Sequence, residues 1–161
     1  MIAILQGGLF AIAIILALAV PANSGPFEDG VAAYQRGDYA TSLRLWRSLA
    51  KQGNAQAQNN LGLMYDRGQG VPQDYREAMK WYRKAAEQGD ADAQFNLGVM
   101  YANGQGVQRD YVVAHMWFIL AAASGDNQAQ LLVPAQKSKM TPDQIVEAQR
   151  MAREWMAKHQ R

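Results

Sequence analysis

Between residues 54 and 125 the apolar positions fall at helical intervals, break at a turn, resume, and then do so again. In the first stretch Ala57, Leu61, Met64 and Tyr65 share one helical face, and Ala78, Trp81, Tyr82 and Ala85 share another. Between them stands Gly68-Gln69-Gly70-Val71, which returns as Gly104-Gln105-Gly106-Val107. Laid on one another without a gap, residues 54–89 and 90–125 agree at 19 of 36 positions, and Gly53, Gly89 and Gly125 mark the same 36-residue period. Self-similarity at this length predicts an array of helix pairs, each unable to bury its apolar face alone.

Helix boundaries follow from local chemistry. Asp74 and Asp110 stand after the turn, where a side-chain oxygen satisfies free helix N–H groups, and Glu77 completes a capping box with Asp74. Gly53, Gly89 and Gly125 stop the second helix of each pair, and Asn54, Asp90 and Asp126 start the next at once. Links this tight force neighbouring helices antiparallel. Small residues recur where helices approach (Ala57, Gly62, Ala78, Ala85 and Ala86, with Ala93, Gly98, Ala114, Ala121 and Ala122), and Tyr65, Trp81, Tyr101 and Trp117 supply large apolar area.

The flanks are less regular. Residues 27–53 form a shortened first unit: Asp38-Tyr39 precedes Asp74-Tyr75 by 36, but the step from Tyr34 to Asp38 is five shorter than that from Tyr65 to Asp74. Residues 126–161 form a partial unit and a closing helix. Pro134 takes the place of Gly62 and Gly98, predicting a kink or stop nearby. Thr141-Pro142-Asp143-Gln144 then opens a last helix as a capping box, and its apolar stripe is Ile145, Ala148, Ala152 and Trp155.

The string Leu61-Gly62-x-Met64-Tyr65, Gly68-x-Gly70-Val71-x-x-Asp74, Ala78-x-x-Trp81-Tyr82-x-x-Ala85-Ala86-x-x-Gly89 resembles the Sel-one-like repeat, a longer-turned relative of the tetratricopeptide repeat. The resemblance implies an all-α, right-handed solenoid with a C-terminal capping helix, used as a protein–protein adaptor with no catalytic residues to carry over. It also implies that the first helix of each pair faces the concave side. Positions there that differ between units form the expected partner groove: Asn59 with Phe95, Leu63 with Val99, and Leu131.

Residues 1–22 carry no charged side chain, and Val20-Pro21-Ala22 offers small residues where a signal peptidase reads. The expectation is a cleaved export signal and a periplasmic or secreted protein. No Lys or Arg precedes the apolar run, and counted from Ile2 it nearly reaches the roughly 20 residues of a membrane span, so an inner-membrane anchor is the alternative.

Composition narrows the chemistry. The chain of 161 residues has 16 basic and 14 acidic side chains, so nucleic acid is not an expected partner. With no cysteine there are no disulfides, thiolate metal sites or cysteine nucleophiles. Cysteine-rich members of the resembled family are credited with β-lactam binding or hydrolysis; their repeat disulfides are missing here, so an enzyme of that type is not expected. A component of an envelope polysaccharide system is the alternative to an adaptor. His115 replaces Met79 and reads as a packing residue, and His159 falls in a tail expected to fray. No catalytic residue, metal or cofactor is expected.

The two full units differ sharply on one helix face. Arg76, Glu77, Lys80, Arg83 and Lys84 of the first become Val112, Val113, Met116, Ile119 and Leu120 in the second. Soluble monomers seldom expose such a patch. The helix from Thr141 is the expected cover, giving a monomer; a homodimer through the same patch is the alternative.

Overall fold

A computed structural model describes residues 25–159; the export or anchor segment at residues 1–22 lies outside them. The described residues form eight helices and no strand: α1 (Pro26–Gln35), α2 (Tyr39–Lys51), α3 (Ala55–Arg67), α4 (Tyr75–Ala86), α5 (Ala91–Asn103), α6 (Tyr111–Ala123), α7 (Asn127–Lys137) and α8 (Pro142–His159). Each of the first six packs on the next along the chain, the pattern of a helical solenoid, and α6 also receives α8. No described helix is long and apolar enough to cross a membrane.

From α2 to α7 each helix starts at an acidic or amide side chain that accepts from nearby backbone N–H groups. Asn54 Oδ1 accepts from the Ala57 N–H at 2.8 Å, Asp90 from Ala93 at 2.8 Å and Asp126 from Ala129 at 2.6 Å. Asp74 and Asp110 each accept from two backbone N–H groups at the starts of α4 and α6. The Asp74 capping box is only half formed. The Asp74 N–H donates to the Tyr65 carbonyl at 2.9 Å, so Glu77 has no backbone donor to reach and pairs with Lys80 instead. At α8 the box is complete: the Thr141 N–H donates to Gln144 Oε1 at 2.9 Å, and the Gln144 N–H to Thr141 Oγ1 at 3.3 Å. Pro134 does not stop α7, which runs on to Lys137. Both Pro134 and Gln130 are exposed, so water can take over the carbonyl that proline leaves unbonded.

Within each pair the helices meet through an aromatic ring laid on a glycine. A Cβ on Gly30 would stand 2.4 Å from the Trp46 ring, one on Gly62 2.7 Å from Tyr82, and one on Gly98 2.6 Å from Phe118. Trp46, Tyr82 and Phe118 are 36 residues apart, and all three are buried. The sequence pattern favoured Trp81 as a core ring. The structure instead buries its neighbour Tyr82 and leaves Trp81 half-exposed, because only the Tyr82 direction points at Gly62. The first unit is shorter by four residues rather than five: its loop is 36–38, three residues, against 68–74, seven.

Between pairs, buried glutamines tie the units together. Gln58 Nε2 donates to the carbonyl of Ala50 at 3.0 Å, and Gln94 Nε2 to that of Ala86 at 3.3 Å, so each amide reaches a carbonyl in the last turn of the preceding helix. Their oxygens accept from Gln88 Nε2 at 2.7 Å and Ser124 Oγ at 3.0 Å. The long turns add a backbone contact, since a Cβ on Gly106 would lie 2.9 Å from the Tyr75 carbonyl. Gly106 also has φ +72°, so conformation and space both demand glycine there.

The face of α6 that turns apolar is covered. Met116, Trp117 and Leu120 are buried with Ala152, and Ile119, Met151, Trp155 and Met156 pack around them. The Trp117 and Trp155 rings meet edge to face at 5.9 Å. A homodimer through this face would have to displace α8. His159 is not frayed: it ends α8 with its ring stacked 4.0 Å from Trp155. His115 is fully buried, and neither ring nitrogen has a hydrogen-bond partner.

Three measurements test this account. At Gly89 (φ +88°) a Cβ would meet no atom within 4 Å. Gly89→Ala therefore loses about 1 kcal/mol from backbone strain alone, while Gly98→Leu loses about 1–3 kcal/mol by overpacking Phe118; urea titrations finding both neutral would refute the packing account. Truncation after Lys139 uncovers the α6 face and removes on the order of 5 kcal/mol of apolar burial; a truncated chain as stable and monomeric as its parent refutes the covering role of α8.

The third concerns pH. Burial holds the His115 imidazole below its ordinary value, with the Lys137 cation adding to the effect. The unfolded chain therefore binds the extra proton first, and stability is lost as pH falls below the unfolded value of about 6.5, by at most about 1.4 kcal/mol per pH unit. Substitution His115→Met, the residue of the preceding unit, flattens that part of the profile; an unchanged difference in stability between pH 7 and pH 5 would show that His115 does not carry it.

Candidate functional site

The expected groove residues lie on the first helices of their pairs, α3, α5 and α7, in two lines. Asn59, Phe95 and Leu131 follow one another at the repeat spacing, as do Leu63 and Val99. Their surroundings differ. Asn59 is nearly buried, and its Oδ1 accepts from Asn96 Nδ2 at 3.1 Å, so the amide bridges α3 and α5. Phe95 is half-buried, its ring 5.6 Å from that of Phe118. Leu63 and Val99 are half-buried, and Leu131 is 77% exposed. The first line thus runs from helix–helix packing at Asn59 to an exposed aliphatic side chain on α7, and the second stays half-buried on α3 and α5.

Groups that carry chemistry elsewhere are committed to structure here. Asp74, Asp90, Asp110 and Asp126 cap helices. Gln69 of the first long turn accepts from the Tyr34 hydroxyl, and its amide donates to the Tyr39 hydroxyl at 3.0 Å, so this loop is tied to the preceding unit. Among the described residues no group of three or more His, Asp or Glu side chains is placed to hold a metal ion. His115 is sealed in the core, and Ser124 is bonded to Gln94. No nucleophile–base pair is formed among these residues.

A second surface was only partly visible in the sequence. Lys80, Arg83 and Lys84, three of the charged positions that turn apolar in the second unit, lie on α4. The structure sets Arg44 and Arg47 of α2 at the equivalent positions one unit earlier. The correspondence reaches the hydrogen bonds: the Arg47 guanidinium donates to the Tyr65 hydroxyl at 3.4 Å, and Arg83 to Tyr101 at 3.2 Å. Superposing residues 27–53 on 54–89 exposes this alignment, but the irregular first loop obscures it when the chain is read from its start.

The Sel1 repeat family profile matches residues 27–54, 55–90 and 91–126. No curated protein matches. Among solved structures, c5321, a protective antigen of uropathogenic Escherichia coli strains displaying an SLR fold, is similar with a TM-score of 0.79 and 32% identity over 83% of this chain and 30% of its own. A Sel1 repeat protein from Oxalobacter formigenes is similar with a TM-score of 0.67 and 31% identity over 80% of this chain and 55% of its own. The chain spans less than two thirds of either protein's length. With three consecutive units matched over more than half of its length, the chain belongs to the Sel1 repeat family.

Proposed function

We propose that this protein is an exported adaptor that binds protein partners in the cell envelope through the concave apolar stripe of α3, α5 and α7. Sel1 repeat proteins generally mediate protein–protein interaction, and helix-pair solenoids suit that role by building an extended surface from stacked units. The observation that carries the reading here is Leu131. A large aliphatic side chain 77% exposed, continuing the line of Asn59 and Phe95 beside Leu63 and Val99, is apolar surface that the fold itself does not use. Export is supported by the uncharged apolar run of residues 1–22 and the small residues at Val20-Pro21-Ala22. The protein is then periplasmic or secreted if that segment is cleaved, and held at the inner membrane if it is not.

The test joins location to binding. Full-length tagged protein is expressed in a Gram-negative host, fractionated and sequenced at its N-terminus, then used to capture partners from an envelope extract. The expected result is recovery outside the cytoplasm and a captured protein that Leu131→Asp and Val99→Ser release without changing thermal stability. Cytoplasmic recovery overturns the export reading, and capture indifferent to both substitutions overturns the groove.

A further inference from the structure

The second helices of the units carry a different surface. On α6 the positions Met116, Trp117, Ile119 and Leu120 are covered by α8. One unit back, the same positions on α4 are Lys80, Trp81, Arg83 and Lys84, and nothing covers them. They line a recess of about 520 Å³ together with Met79, Tyr101 and Val107. Two units back, Leu43, Arg44, Arg47 and Lys51 of α2 line a further recess of about 360 Å³. The molecule therefore has three equivalent stations in a row. A helix occupies the last, and the other two are open.

The occupied station indicates what an open one accepts. Trp117 meets Trp155 of α8 edge to face at 5.9 Å. Trp81, its counterpart on α4, packs partly against the core cluster of Trp46, Leu61 and Met64, is half-exposed, and carries the Lys84 ammonium over its ring at 4.5 Å. The charge is the main difference. Arg44, Arg47 and Lys51, followed by Arg76, Lys80, Arg83 and Lys84, set seven cations along the two stations against Glu77 and Glu87. Among the described residues the one ion pair on this surface is Lys80 with Glu77.

We propose that the α2–α4 face is a docking site for an acidic amphipathic helix of a partner protein, seated on α4 as α8 is seated on α6. Its aromatic residue lies against Trp81, and its carboxylates meet Arg76, Arg83 and Lys84. This rests on the reading of the protein as an interaction module but uses a face other than the concave stripe. Residues 1–22 of this chain do not fit, because they carry no charge to match the basic rim. Phosphate polyanions fit less well than a peptide. Glu77 and Glu87 stand inside the α4 station and oppose a continuous line of phosphates, whereas a helix can place its carboxylates between them. A recess that includes Met79, Trp81 and Val107 in its lining also suits a helical side-chain stripe better than a flat lipid surface.

The test uses the full chain and a dye-labelled synthetic helix of 18 residues, the length of α8, carrying one tryptophan in a leucine stripe flanked by glutamates. Anisotropy titration is expected to show binding that weakens with salt and is absent for the same peptide with lysine in place of glutamate. The double substitution Arg83→Glu with Lys84→Glu weakens binding by about tenfold or more, and Trp81→Ala by about threefold or more. These side chains are exposed or half-exposed, and circular dichroism checks that each variant stays folded. Hydrogen exchange of the unaltered protein provides a reading free of substitution, with peptide-induced protection expected at α4. Phe95→Ala and Val99→Ser leave peptide binding unchanged, so failure of the concave-stripe reading is separable from failure here. The proposal is overturned if the acidic peptide does not bind, if protection appears elsewhere, or if a heparin fragment or phosphatidylglycerol vesicles bind more tightly and lose binding through the same double substitution.

Discussion

The ring laid on a glycine is the contact from which the rest of this solenoid follows. Trp46 on Gly30, Tyr82 on Gly62 and Phe118 on Gly98 bring the two helices of a pair close enough that any Cβ at those glycines would overlap the ring. Close approach lets the alanines at neighbouring positions, Ala57 and Ala78 or Ala93 and Ala114, become fully buried although their side chains are short. The three rings differ in chemistry but share place and direction. The repeat thus holds the shape of the contact and tolerates a change of residue within it.

Given that contact, the units are joined by hydrogen bonds as well as by burial. Gln58 and Gln94 sit between pairs, each satisfied at both ends of its amide. A buried amide satisfied in this way favours one register, because a slipped neighbour would leave donor and acceptor without partners. His115 is the counterexample. It fills the place of Met79 in the preceding unit but adds two ring nitrogens with nothing to bond. That leaves a titratable group whose protonation opposes the fold.

Divergence between otherwise equivalent faces is what gives the molecule ends and surfaces. The second-helix face is basic on α2, basic on α4 and apolar on α6, and α8 folds back on the apolar one. The same helix position therefore serves as solvent surface in two units and as core in the third. A cap made from the chain's own helix closes this face on α6, whereas on α2 and α4 the same face is basic and stays open although another unit follows. The stripe of first-helix residues changes in the opposite sense, from the nearly buried Asn59 through Phe95 to the exposed Leu131.

Local chemistry was legible from residues alone. A 36-residue period, glycines at the junctions and Asp or Asn immediately after them determined the helix pairs, their starts and the antiparallel order, because capping and left-handed glycine act over a few residues. Even the cover over α6 was foreshadowed, since five apolar residues replacing five charged ones demand burial somewhere. What depended on distant partners was not legible. Tyr82 rather than Trp81 faces Gly62, and Glu77 turns to Lys80 because Tyr65 has taken the Asp74 N–H. Asn59 becomes a bridge to Asn96, and His159 comes to rest on Trp155. Each of these turns on which side chain arrives from another helix. A periodic pattern specifies which face of a helix is inward, but only the packed structure decides which of two adjacent residues on that face meets the neighbour.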